Sequence, residues 1–153
     1  MSKEAHLIVV GKLKDKHLEA IEQDYLNRLK ATPLIIHEVK ARAENKEMEA
    51  EVVLKKVKEL APSGAYLVAL AEKGREFDSP DFSQWLFKHL EYTSQKLIFI
   101  IAGAEGHADI ILSSVQEKLS LSRLTFPHKI ARILFVEQFY RAVTIKNNHP
   151  YHN

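Results

Sequence analysis

Short apolar runs alternate with helix-like patterns along this chain. Residues 6–10, 34–39, 66–70 and 97–101 are mostly apolar, which is typical of strands buried in a sheet. Between the first three runs, apolar residues recur every three or four positions, as on one face of a helix: Leu18, Ile21, Tyr25, Leu26 and Leu29, then Met48, Val52, Val53, Val57 and Leu60. This alternation predicts one α/β domain over residues 1–153, with a mostly parallel sheet and helices on both faces.

The second half of the chain predicts further elements. Asp78 is suited to cap a helix that has Pro80 in its first turn. A short helix is expected around residues 110–115, and residues 119–122 alternate apolar and hydroxyl side chains like a half-buried strand. A long helix then begins at residue 125 or 126, has Pro127 in its first turn and reaches about residue 144.

That last helix has more apolar residues than one face can hold. They are Ile130, Ile133, Leu134, Phe135, Val136, Phe139, Tyr140 and Val143. We therefore expect one face to pack on the sheet and another on a second copy of the chain, in a twofold-symmetric homodimer. The alternative is a helix enclosed at the centre of a monomer.

Composition narrows the class of protein. With 46% hydrophobic and 27% charged residues and only five Gly and five Pro, a disordered or low-complexity chain is excluded. Cysteine is absent, which excludes thiol chemistry and Cys-based metal sites and fits a cytoplasmic protein. No apolar run approaches the roughly 18 residues of a membrane span, so no membrane contact is expected.

The formal net charge of +2 is unevenly distributed. Residues 119–153 contain five Lys+Arg and one Glu, which gives a net charge of +4. Residues 1–118 contain the other 17 Lys+Arg and 19 Asp+Glu, which gives a net charge of −2. A basic end on a nearly neutral domain is typical of a surface that contacts phosphate. A solubilising tail is the alternative interpretation.

Two loops follow predicted strands at the edge where open parallel sheets bind ligands. The first spans residues 70–74, and the second spans residues 102–106 with Gly103 and Gly106. Glycine lets the backbone approach a ligand closely, although a Gly-x-x-Gly segment is often only a turn. Neither full glycine-rich phosphate-binding fingerprint is present, which argues against an unrelated nucleotide-binding enzyme.

The basic end has side chains suited to nucleic acid. The start of the last helix offers backbone N–H groups to a polar ligand beside residues 119–126. Arg132 and Arg141 have planar guanidinium groups suited to phosphate, and Tyr151 can stack on a base. Ion pairing on a helix surface is the ordinary alternative for these arginines, with Glu137 as a partner.

Nucleophile and metal motifs are not found in the sequence. The serines at 113, 114, 120 and 122 lack a Gly-x-Ser-x-Gly elbow, and the histidines lack metal-ligand spacing, so no metal is expected. His6, inside a strand pattern, is expected to be a partly buried structural residue.

One combination of segments is highly specific. It is Leu119-Ser120-Leu121-Ser122-Arg123-Leu124-Thr125-Phe126-Pro127-His128, continued by Glu137-Gln138-Phe139-Tyr140-Arg141-Ala142. With Val9-Val10-Gly11-Lys12-Leu13-Lys14 and the terminal Pro150-Tyr151-His152, it makes nearly the whole chain resemble the ribosomal RNA large-subunit methyltransferase H family of the SPOUT class. The resemblance implies a SPOUT fold with a C-terminal trefoil knot. It also implies a homodimer that uses S-adenosylmethionine to methylate N3 of a pseudouridine in 23S ribosomal RNA within the ribosome.

The same resemblance assigns residues to the site. Those implied to bind the methyl donor are Leu70, Ala102, Gly103, Gly106, Leu121, Ser122, Arg123, Leu124, Thr125 and Phe126. Tyr151 and His152 would contact the RNA. His128 would act as base or proton relay, and Arg132 and Arg141 would stabilise the anion of the acceptor imide.

Two positions depart from the family pattern. The family often has Asp where this chain has Ala71, and Gly where it has Ala102. Backbone contacts survive such side-chain changes, so donor binding is expected to persist. The alternative is a non-catalytic module that binds the ribosome or RNA on the same fold.

Overall fold

A computed structural model of the chain describes residues 4–43 and 45–153. Strands and helices alternate over these residues. In chain order they are β1 (Ala5–Val10), α1 (Lys16–Asn27), β2 (Leu34–Val39), α2 (Lys46–Leu60), β3 (Ala65–Glu76), α3 (Ser79–Tyr92), β4 (Lys96–Ile101), α4 (Asp109–Ser114), β5 (Glu117–Ser120) and α5 (His128–Lys146), with a 3₁₀ turn at Pro150–His152. The alternation of strands and helices predicted from the apolar pattern is confirmed.

The strands form one five-stranded sheet in the order β2-β1-β4-β3-β5. Each neighbouring pair is parallel. The carboxyl ends of all five strands therefore meet at one edge. The trefoil knot stays a prediction, because strand order and pairing describe neighbours rather than the threading of the chain.

Helices cover both faces of this sheet, as predicted. Side chains alternate along β1: Leu7 and Val9 join the core under α3 and α5, whereas Ile8 and Val10 join the core under α2 and α4. On the first face the rings of Phe99 and Phe135 lie 4.7 Å apart, and both residues are fully buried. No helix within the described ranges is long and apolar enough to cross a bilayer.

Two helices turn a glutamate inward where the pattern predicts an apolar residue. Ile21 is 45% exposed and Met48 is 46% exposed, while their neighbours Glu22 and Glu49 are each only 7% exposed. The Glu22 carboxylate pairs with the guanidinium of Arg132, and the Glu49 carboxylate accepts from a backbone N–H in the preceding loop. The apolar periodicity, which predicts an inward-facing Met48 and groups Ile21 with the apolar face of α1, is wrong at these two positions, because long-range and loop partners bring the carboxylates inside.

β3 is longer than predicted and is interrupted by a bulge. Leu70 and Arg75 both pair with Leu119, so the residues between them leave the ladder and the strand then resumes. Gly74 ends the bulge against β5: a Cβ at this position would lie 2.7 Å from backbone atoms of Leu119. Only glycine fits there, which the sequence pattern does not reveal.

β5 ends two residues earlier than the alternation of residues 119–122 predicts. The Ser120 hydroxyl donates to the Ser122 carbonyl at 2.9 Å, and the Ser122 hydroxyl accepts from the Leu124 N–H at 3.0 Å. These local hydrogen bonds compete with the strand ladder and form a turn instead. α5 then begins at His128, with Pro127 at the N-cap position rather than in the first turn.

A histidine pair joins β1 and β2. His6 Nδ1 lies 2.9 Å from His37 Nε2, and the two rings stack with centroids 5.2 Å apart. Burial is the main cause that lowers the pKa of both imidazoles below the ordinary value of about 6.5. The positive charges of Lys96 and Lys56 act in the same direction, and Glu4 opposes them.

We predict that acid destabilises the fold through this pair. Both folded-state pKa values lie below the unfolded value, so the unfolded chain protonates first and stability is lost as the pH falls through about 6.5. His37→Gln should reduce the loss in free energy of unfolding between about pH 7.5 and pH 5.5, measured by urea titration. His17→Gln, at an exposed position of α1, is the control and should keep the wild-type dependence. An unchanged pH dependence in His37→Gln would contradict the prediction.

Candidate functional site

Three neighbouring strands bring the predicted donor segments to one edge of the sheet. β4, β3 and β5 are adjacent, Ala69 pairs with Ile100, and Leu70 pairs with Leu119. Leu70, the loop after β4 and residues 121–126 therefore all lie at or just beyond adjacent carboxyl ends. Open parallel sheets bind their ligands at this edge.

The loop after β4 is a tight turn built on two glycines. A Cβ on Gly103 would lie 3.2 Å from Val10 Cγ1 and 3.3 Å from a carboxylate oxygen of Glu49. Gly106 has a φ of +80° and donates its N–H to the Gly103 carbonyl at 3.1 Å. The backbone at Gly103 is therefore held close to β1 and α2, whereas at Gly106 the space is open and the positive φ is what favours glycine.

A histidine that the sequence analysis missed connects this loop to β3. His107 Nε2 lies 2.9 Å from the carbonyl oxygen of Leu70. A carbonyl can only accept, so Nε2 has the proton and donates. Burial lowers the pKa of His107 more than the hydrogen bond to Leu70 raises it, which favours the neutral ring. Its only signal in the sequence is its place directly after the glycine turn.

The predicted donor residues share an edge but do not line one cavity. Leu121 and Phe126 line an open cavity of about 400 Å³, which residues at the start of α3 and in the middle of α5 also line. At its polar side the Ser79 hydroxyl donates to Gln138 Oε1 at 2.7 Å. Ala102 and Gly106 line a separate, much smaller cleft together with His107 and buried Glu49.

Arg132 is enclosed in an ion network. It is 6% exposed, with Nε and Nη2 donating to Glu22 at 2.7 and 2.8 Å and Nη1 donating to Glu38 at 2.8 Å. Burial alone would lower the pKa of Arg132, but the hydrogen bonds and charges of Glu22 and Glu38 outweigh it and raise that pKa. The geometry makes Arg132 an anchor between α5, α1 and β2. It gives no support to the predicted contact with a reacting base.

Arg141, Tyr151 and His152, predicted from separate parts of the chain end, are brought together. Arg141 Nη2 donates to Glu137 at 2.7 Å, and Arg141 Nη1 lies 3.0 Å from His152 Nδ1. The Tyr151 hydroxyl donates to the same Glu137 carboxylate at 2.7 Å. The expected pairing of Glu137 with an arginine on its helix is confirmed, and Glu137 also organises the tail.

The tail is docked on α5 and α1 through tyrosines. The Tyr151 ring meets the Tyr140 ring edge-on at 4.8 Å, and its hydroxyl lies 3.2 Å from that of Tyr25. Burial and the hydrogen bonds to Tyr25 and Glu137 raise the pKa of Tyr151, so it stays a neutral donor. Arg141 covers one face of the ring at 4.9 Å, and His152 is exposed beside it.

Much of the basic character of the chain end is neutralised within the chain. Arg132, Arg141 and Lys146 are ion-paired, the last with Glu91 at 3.2 Å. Among the residues that the structure describes, Arg123 and Lys129 are the cations of this segment outside ion pairs. The described ranges hold no cluster of three or more His, Asp or Glu that could bind a metal ion.

His128 lies far from the tail cluster. It is the first residue of α5 and is half-buried, whereas Arg141 lies 13 positions further along the same helix. At a rise of about 1.5 Å per residue, the two are about 20 Å apart along the axis. One copy of the chain therefore cannot place both beside the same reacting atom.

Comparison with known proteins covers almost the entire chain. A family described as "Predicted SPOUT methyltransferase" matches residues 4–152. Proteins named ribosomal RNA large subunit methyltransferase H from Phocaeicola vulgatus, Parabacteroides distasonis and Flavobacterium johnsoniae are 40%, 38% and 36% identical to it. Each alignment covers 96% of this chain and 97% of the relative.

A solved structure shares the fold. It is a probable methylase family protein from Haemophilus influenzae, which is 9% identical and superposes with a TM-score of 0.58 over 99% of this chain and 71% of that protein. At 9% sequence identity, this similarity supports only a shared arrangement of strands and helices. Together with the family match over nearly the full length, it means that this chain belongs to the SPOUT methyltransferase family.

Proposed function

We propose that the chain is an S-adenosylmethionine-dependent methyltransferase of large-subunit ribosomal RNA that modifies N3 of a pseudouridine in 23S RNA. The observation that carries the proposal is the near full-length match to relatives named for ribosomal RNA methylation, at up to 40% identity. The family match over residues 4–152 includes both strand-edge loops and the C-terminal tail. An enzyme with this substrate works in the cytoplasm, with residues 1–153 acting as one domain.

The strand edge fits a donor that has an adenosine part. Backbone groups at the ends of β3 and β4 and after β5 offer hydrogen bonds, and Leu121 and Phe126 offer apolar contact. Gly103 and Gly106 let the backbone come close. When bound, S-adenosylmethionine supplies a methyl group already activated on a sulfonium, so the protein residues act mainly by orientation and exclusion of water.

The acceptor is an imide nitrogen that must lose its proton before methylation. His128 is the candidate base or relay, because it stands at the start of α5 beside residues 121–126. Pro127 provides no side-chain cap, so the N–H groups of the first turn and the helix dipole favour a developing negative charge there. Arg141, oriented by Glu137 and His152, is the candidate contact for an RNA phosphate or the imide anion.

Two copies of the chain are needed to complete this site. His128 and Arg141 are about 20 Å apart along α5, so the tail cluster of one copy must serve the donor edge of the other. α5 also exposes apolar side chains: Ile130 is 39% exposed and Leu134 is 36% exposed, and Leu124 before them is 71% exposed. We propose that these residues pack in a homodimer.

Methyl transfer to ribosomes tests the proposed activity directly. The purified protein with labelled S-adenosylmethionine should label the large-subunit RNA of ribosomes that lack the modification, and nucleoside mass spectrometry should place the methyl group on N3 of a pseudouridine. Donor binding without labelled RNA would overturn the activity. Ribosome binding without donor binding would instead support the non-catalytic RNA-binding module.

Replacement of Arg141 should impair the reaction and leave donor binding intact. Arg141→Ala removes the forked contact near the tail, and we expect kcat to fall about 100-fold with an unchanged Kd for S-adenosylmethionine. Lys146→Ala is the matched control, because it removes an ion-paired cation from the same helix outside the cluster. A wild-type rate in Arg141→Ala would remove Arg141 from the proposed machinery.

The dimer can be tested separately from activity. The wild type should sediment at twice the chain mass of 17.5 kDa at micromolar concentration. Leu134→Asp should yield monomers, because it buries an unpaired charge in the apolar contact. Met48→Asp, at a similarly exposed apolar position on α2, should stay dimeric. A monomeric wild type, or a dimeric Leu134→Asp, would contradict this arrangement.

A further inference from the structure

The bulge in β3 lies between two loops assigned to the donor, the loop after β4 and residues 121–126 after β5. β3 pairs with β4 on one side and with β5 on the other, and it leaves the ladder after Leu70. The departing residues 71–74 thus start beside the loop after β4 and end beside β5. Their backbone direction determines the space between these loops.

Each end of this bulge is held by a specific contact. At the far end, Gly74 packs so closely on the Leu119 backbone that no side chain fits. At the near end, the Leu70 carbonyl accepts the hydrogen bond from His107 Nε2 at 2.9 Å. Ala71, the first residue of the bulge, has only a methyl group and cannot orient this peptide by its own side chain.

We propose that His107 is a positioning residue of the methyl-donor site, acting through the Leu70 carbonyl. The proposal rests on the proposed function, and it adds a residue that the family resemblance does not assign. A trans peptide is planar, and the described residues contain no cis peptide bond. Fixing the Leu70 carbonyl toward His107 therefore fixes the Ala71 N–H in the opposite direction, at the point where the bulge begins.

The surroundings of His107 suit this role. The ring follows Gly106, so the same hydrogen bond ties the glycine turn after β4 to the end of β3. The ring is partly buried and shares its cleft with Ala102 and Gly106. His107 thus sets the separation of two donor-binding backbone segments without itself needing to touch the donor.

Calorimetric titration with S-adenosylmethionine and steady-state kinetics test the proposal together. His107→Leu keeps about the bulk of the ring but cannot donate a hydrogen bond to Leu70. We therefore expect S-adenosylmethionine to bind about tenfold more weakly and its KM to rise. At saturating S-adenosylmethionine, kcat should stay within about twofold of wild type. His107→Gln restores an N–H donor and should recover affinity to within about threefold. His17→Leu on the exposed surface of α1 should bind like the wild type.

The outcomes separate this proposal from the proposed function. If the wild type binds the donor and His107→Leu binds it equally well, the role of His107 is overturned and the function stands. Equal losses in His107→Leu and His107→Gln would also overturn it, since the hydrogen bond would then not matter. A wild type that does not bind S-adenosylmethionine overturns both. Should His107→Leu fail to fold, His107→Asn, whose shorter amide does not reach Leu70, replaces it in the same measurement.

Discussion

The buried guanidinium of Arg132 is the interaction on which the arrangement of the helices depends. It ties α5 to Glu22 of α1 and Glu38 of β2, with three hydrogen bonds of 2.7 to 2.8 Å. Removing one partner of such a buried network costs about 3–5 kcal/mol, because a charge is left uncompensated. With α1 and α5 held together, Tyr25 and Tyr140 form the surface on which the C-terminal tail docks.

A second constraint comes from the parallel sheet. Because every strand points the same way, the ends of β3, β4 and β5 lie side by side, and segments more than 50 residues apart in sequence come to one edge of the sheet. Close packing and backbone conformation at glycines determine the shape of the loops at this edge. A side chain at Gly74 would collide with backbone, one at Gly103 would crowd Val10 and Glu49, and Gly106 has a positive φ. His107 links the resulting loops.

Much of the charge at the end of this chain holds the structure together. The net charge of +4 over residues 119–153 suggests a broad phosphate-binding surface, yet Arg132, Arg141 and Lys146 pair with carboxylates of the same chain. The proposed RNA contact therefore depends on the exposed edge of the Arg141 cluster, on Arg123 and Lys129, and on the second copy of the chain.

The sequence by itself determined the α/β class, the approximate positions of the strands, and the helix cap at Asp78, because apolar periodicity and capping are local properties. It also pointed to two glycine-containing loops at strand ends and to the basic end of the chain, and the family resemblance assigned roles to them. Only the tertiary structure decided that Glu22 and Glu49 face inward rather than Ile21 and Met48. It also decided that β3 bulges after Leu70 and that His107 and Arg132 are held by distant partners. Each of these depends on a hydrogen bond or a close packing contact with another segment of the chain, and no local pattern contains that information.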